Sequence, residues 1–74
     1  MTDPGSAFGR NLARRRTARG WSQEEAALRT GLGIATINRV EHGGGCYLSS
    51  AITLAAAYDT TIDALLTDTP EPPS

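Results

Sequence analysis

Arg10, Arg14, Arg15, Arg16, Arg19, Arg29 and Arg39 are the whole basic complement of a 74-residue chain, and all lie before position 40. Guanidinium groups suit phosphates and guanine edges, because a planar fork donates two hydrogen bonds at once. The acids are distributed differently. Residues 9–43 carry the seven arginines against Glu24, Glu25 and Glu41, a net +4; residues 44–74 carry Asp59, Asp63, Asp68 and Glu71 and no base, a net −4. With Asp3 the total is −1, which taken alone argues against a nucleic-acid partner. The segregation argues for one, with the basic half on the polyanion and the acidic half turned away. Catalysis has no comparable support. No nucleophile–base pair, carboxylate dyad or ligand cluster stands at workable spacing, so neither an enzyme nor a cofactor or metal site is expected. His42 reads as a surface residue or helix cap. Cys46, the single cysteine, reads as a loop thiol with no disulfide partner in the chain.

These residues need elements to hold them. The length is that of one domain. Phe8, Trp21, Tyr47 and Tyr58 are the only aromatic residues, so the core must come mostly from Ala, Leu and Ile, which favours packed helices over a sheet. "MTDPGSA", residues 1–7, reads as a disordered arm, and residues 67–74, rich in proline, as an extended tail. The folded part is then residues 8–66, an all-α arrangement of five helices joined by short turns. The first runs over residues 8–19 and stops at Gly20. "SQEE" caps the second: Ser22 can accept from the Glu25 amide while Glu25 reaches back. That helix ends at Gly31. The third begins near Gly33 or Ile34 and is closed by Gly43, the fourth starts at Ser49 or Ser50, and the fifth is capped by Thr61. Trp21 reads as a plug between the first two helices. No signal peptide is evident and no stretch approaches the ~20 apolar residues that span a bilayer, so a cytoplasmic protein without membrane contact is expected.

The unit with most content is "SQEEAALRTGLGIATINRV", residues 22–40. Two helices meet through a short glycine turn. Ala27 is small enough to let the third helix cross the second closely, Gly31 supplies a positive φ, Leu32 plugs the corner, and Ile37 and Val40 anchor the third helix. This is the logic of a helix-turn-helix, whose second helix projects towards a major groove.

At this point the chain resembles the lambda-repressor-like (Cro/C1-type, XRE) helix-turn-helix family. "RTARGWSQEEAA", "TGLG", "INRVEHG" and "LAAAYDTTIDALL" carry the resemblance, in this order and spacing, over residues 8–66. It implies a compact five-helix DNA-binding domain with helices 2 and 3 as the motif. Gln23 would bind a phosphate and brace a base-contacting residue. Arg16 and Glu41 would form a structural ion pair between helices 1 and 3. The base-reading positions fall on Gly33, Ile34, Ala35, Thr36 and Arg39, with Asn38 nearer the DNA backbone. Arg39 is the candidate for bidentate guanine contact, a solvated surface arginine being its plainer reading. Ile34 is either core or a thymine-methyl contact, Ala35 a spacer, Thr36 a helix-surface filler. Arg14, Arg15 and Arg19 either reach phosphates or form a solvated face. The loop "GGGCY" lacks the basic side chains common in the family. Backbone amides of Gly44 and Gly45 are its remaining phosphate donors, so affinity and salt dependence should be modest.

The expected function is sequence-specific regulation of transcription on double-stranded DNA, as a repressor. A homodimer is expected, joined through helix 5 at Ile62, Leu65 and Leu66, with half-sites about one turn (~34 Å) apart. Two alternatives stand beside it: an antitoxin that binds a protein partner and its own operator, and a helical interaction domain that reads no DNA.

Overall fold

Pro4 opens the first helix. The computed structural model describes residues 4–67, and five helices follow one another: α1 (Pro4–Ala18), α2 (Gln23–Thr30), α3 (Ile34–Glu41), α4 (Leu48–Ala57) and α5 (Ile62–Leu66). No strand occurs among the described residues. The expected all-α architecture is the one observed. The expected arm is not: Pro4 to Ala7 are helical, and Ala7 is buried. A proline in the first turn of a helix forfeits only an N–H that the helix would leave unpaired, so Pro4 starts this helix where it suggested a break. Residues 1–3 and 68–74, the remainder of the expected arm and tail, lie outside the described residues; Thr67 has extended backbone at the end of α5.

Local chemistry sets the helix ends. The Ser22 hydroxyl accepts from the Glu25 amide at 3.0 Å, whereas the Glu25 carboxylate, expected to reach back, takes the Arg29 Nε at 2.8 Å. Gly31, at φ +75°, closes α2 by donating to the Ala27 carbonyl at 2.9 Å. α3 ends in a Schellman turn. Gly43, at φ +93°, donates to Val40 O (3.0 Å), and Gly44 donates to Arg39 O (2.8 Å). α4 begins earlier than expected, with Tyr47 at its N-cap in place of Ser49 or Ser50, and no capping side chain. Thr61 Oγ1 caps α5 by accepting from the Ala64 amide.

The core is drawn from all five helices: Phe8 and Leu12, Ala26, Ile37 and Val40, Leu54 and Ala55, Leu65, with Tyr58 just past α4. Ala26, not Ala27, is the fully buried alanine of α2; Ala27 lies at the core's edge with Leu32 and Trp21. Trp21 stacks at 5.4 Å on Tyr58, and the Arg19 and Arg29 guanidiniums lie over its ring at 5.6 and 4.6 Å. Burial, with Glu41 nearby, holds the Tyr58 hydroxyl above its ordinary pKa.

Two further contacts position α3 and α5. Gly9 of α1 lies against the end of α3 so closely that an added Cβ would fall on the Val40 carbonyl oxygen. Asn11 is buried in α1, and its Nδ2 donates to the Leu65 carbonyl (2.8 Å) and the Thr67 carbonyl (2.7 Å), tying down the open end of α5.

Candidate nucleic-acid interface

α3 presents one face to the core and the other to solvent. Ile37 and Val40 are buried, while Ile34, Ala35, Asn38 and Arg39 are exposed and Thr36 is half-buried. Ile34 is therefore not core. Gly33 is the exposed N-cap and provides no side-chain cap, so the first amides of α3 face outward with the positive end of the helix dipole.

A chain of polar contacts fixes this helix to its neighbours. Arg16 of α1 grips the Glu41 carboxylate with Nε to Oε2 at 2.7 Å and Nη2 to Oε1 at 3.1 Å, while its Nη1 donates to the Trp21 carbonyl at 2.8 Å. The Glu41 side chain is only 6% exposed. Its hydrogen bond raises the Arg16 pKa further above an already basic value. Gln23 at the start of α2 donates from Nε2 to Glu41 Oε1 at 3.1 Å and accepts on Oε1 from Asn38 Nδ2 at 3.3 Å. The Arg16–Glu41 pair and the bracing of Asn38 by Gln23 are thus both present in the geometry.

Arg39 lies over the loop that follows α3, its Nε donating to the Gly45 carbonyl at 3.2 Å. Beside it, Arg39, Gly45, Cys46 and Tyr47 line an open groove of about 290 Å³. The loop works differently from the expectation for Gly44. Its amide is consumed by the Arg39 carbonyl and is not a phosphate donor; the Schellman turn claims it. Gly45 remains exposed. Among the arginines of α1, Arg15 is buried and forms no solvated face; the one just past the helix, Arg19, is exposed, with its guanidinium over the Tyr58 ring (5.2 Å) and donating to the Tyr58 carbonyl (3.1 Å). Arg14 is exposed and donates to Asn11.

His42, read as a surface residue or helix cap, is the exposed C-cap of α3, and its Nδ1–H donates to the Asn38 carbonyl at 2.7 Å. Sequence reasoning missed one group here. Tyr47, largely exposed beside Arg39, had no local signal, because its neighbours come together only through the loop.

The helix-turn-helix family model matches residues 12–65. The chain belongs to the lambda-repressor-like helix-turn-helix family. Two solved structures resemble this helix-turn-helix protein over most of its length. The restriction-modification controller protein C.AhdI from Aeromonas hydrophila is 35% identical, with a TM-score of 0.74, covering 82% of this chain and 94% of that one. A hypothetical transcription factor, NHTF, from Neisseria is 32% identical, with a TM-score of 0.80, covering 88% of this chain and 76% of that one. A search of curated proteins finds no match. Fold, motif and relatives agree: the helix-turn-helix protein is a DNA-binding regulator of transcription.

The expected dimer contact on α5 needs correction. Leu65 is wholly buried, Ile62 packs half-buried on the core, and only Leu66 is exposed, because a five-residue helix can turn just one such side chain outward here. The larger apolar surface is on α4, where Leu48 is 70% and Ile52 55% exposed, one turn apart. Ala51, between them in the chain, lines a groove with Phe8, Ile62 and Leu66.

Proposed function

We propose that this regulator is a sequence-specific repressor that binds double-stranded DNA as a homodimer, with α3 in the major groove. The observation that carries the reading is the exposed Asn38–Arg39 edge of α3, whose Asn38 is braced through Gln23 by the part-buried Arg16–Glu41 pair. Arg39 is the base reader, its remaining guanidinium donors matching guanine O6 and N7. Gln23 keeps one N–H for a phosphate beside the start of α2. Asn38 contacts the DNA near its backbone. Gly33, Ile34, Ala35 and Thr36 form the surface that approaches the bases, where methyl groups meet thymine methyls. The exposed Gly45 amide remains a candidate phosphate donor. With so few side-chain contacts, DNA shape and the second copy supply the remaining specificity. The reading puts the protein in the cytoplasm; no described helix is long and apolar enough to cross a membrane.

The test is competitive binding, across a range of salt, between a duplex selected from a random pool and random duplex. Arg39→Ala is expected to lower discrimination by about 10- to 100-fold, the worth of one bidentate base contact, with affinity for random duplex little changed. Wild-type protein that prefers no sequence at any salt would sink the reading and favour a domain that only binds proteins.

The second copy is placed on the α4–α5 face. Leu48 and Ile52 of α4 and Leu66 of α5 are large apolar side chains left exposed. Ile52→Glu is expected to leave the helical content intact, shift the mass in sedimentation from dimer to monomer, and weaken binding to a two-half-site duplex. An unchanged mass would remove this face from the dimer.

Similarity to a restriction-modification controller favours one specific biological role, control of such a system. Methyltransferase and endonuclease genes beside this one would support it; a neighbouring toxin gene would favour the antitoxin reading.

A further inference from the structure

The three consecutive glycines after α3 have different reasons to be glycine. Gly43 needs its positive φ of +93° to end the helix. Gly44 has no positive φ, so backbone conformation does not call for glycine there. What calls for it is Arg39: a Cβ on Gly44 would stand 2.5 Å from Arg39 Cγ and 2.9 Å from the Arg39 carbonyl oxygen. Gly45 has open space where a Cβ would go, and contributes its carbonyl, which accepts from Arg39 Nε. The bare surface of Gly44 is thus a seat for the root of the Arg39 side chain, and the Gly45 carbonyl is a latch for its head.

We infer that Gly44 and Gly45 are positioning residues that pre-orient Arg39 for base reading. The inference rests on the reading of Arg39 as the base contact. With Nε held by the loop, the guanidinium is left to present Nη1 and Nη2, the end-on pair that can bridge guanine O6 and N7. An arginine fixed before binding loses less rotamer freedom on docking than a free one, which strengthens the contact without adding an atom to it. A loop with no basic side chain therefore serves recognition through an arginine six residues earlier than its latch.

Three measurements test this. In wild-type protein without DNA, the Arg39 Nε–Hε resonance is expected to be dispersed and protected from solvent exchange. Gly44→Ala is expected to average that resonance and to lower discrimination, between the selected duplex and one altered at the base pair read by Arg39, by roughly two- to tenfold. The salt dependence should not change. In an Arg39→Ala background, Gly44→Ala should cause no further loss of discrimination. A wild-type resonance averaged with solvent overturns the inference, and this result needs no variant to fold. A folded Gly44→Ala protein that discriminates like wild type, while Arg39→Ala does not, overturns the seat alone. Unchanged discrimination in Arg39→Ala overturns the base-reading assignment, and the seat's purpose with it.

Discussion

Arg16→Met is expected to cost about 3–5 kcal/mol of folding stability, the usual consequence of removing one partner of a buried pair. Glu41 is the reason. Its carboxylate is almost wholly enclosed, and two of its hydrogen bonds come from Arg16. Methionine would leave that charge with Gln23 alone, and would also strip the Trp21 carbonyl of its donor. A small domain has only about 5–15 kcal/mol in total, and each kcal/mol moves Tm by roughly 4–8 °C in a domain of this size. The melting temperature should therefore fall by at least about 12 °C, measured by circular dichroism. Pairing Arg16→Met with Glu41→Leu should recover most of the loss, because an apolar pair of similar volume often replaces a buried ion pair without penalty. A loss below about 1 kcal/mol in the single variant would mean that the pair behaves as a surface bridge. The functional corollary is that Arg16, which lies outside the DNA-facing edge, sets the tilt of α3.

Gly9→Ala should also destabilise, against the helix propensity of the two residues. Inside an exposed helix this change gains about 1 kcal/mol. Here the new methyl group would fall on the Val40 carbonyl and approach the Glu41 carbonyl, both backbone atoms of α3. Neither can swing aside as a side chain would, so α1 and α3 must move apart, which overpacking data place at about 1–3 kcal/mol or more. The net expectation is a lower Tm and weaker DNA binding, since the helix displaced is the proposed recognition helix. A raised Tm would show that the two helices are not in close contact at Gly9.

These two residues also show where sequence is legible. Ser22 and Gly31 announced themselves, because a cap or a left-handed turn is decided by a residue and its nearest neighbours. The lambda-repressor-like resemblance reached Arg16, Gln23 and Glu41, whose contacts span as many as 25 positions, and supplied the positions of α3 proposed to face DNA. Gly9 and Asn11 carried no local signal. A glycine and an asparagine inside a helix look unfavourable until the carbonyls they meet, on α3 and α5, are in place. Pro4 was misread for the opposite reason: proline breaks a helix in its interior and starts one at its first turn, and a composition reading does not separate the two. Leu65 and Leu66 differ only by one position in a helix of five residues, too short for periodicity to say which faces in. Gly44 was assigned to the interface through its amide, but its contribution lies in the atoms it lacks.

The contacts from Glu41 to Asn38 also have a direction. A carboxylate can only accept, so Gln23 must turn its NH2 group towards Glu41. That leaves the Gln23 oxygen towards α3, and Asn38 must then offer it an N–H. Amide side chains are ordinarily free to exchange their two ends, but here the orientation of both is dictated by one enclosed negative charge. Asn38 is left with its oxygen and one N–H for the solvent side, so it can accept from an amino group and donate to an acceptor there, but its second N–H is already spoken for. An enclosed charge thereby decides the hydrogen-bond polarity of a side chain on the exposed face of α3.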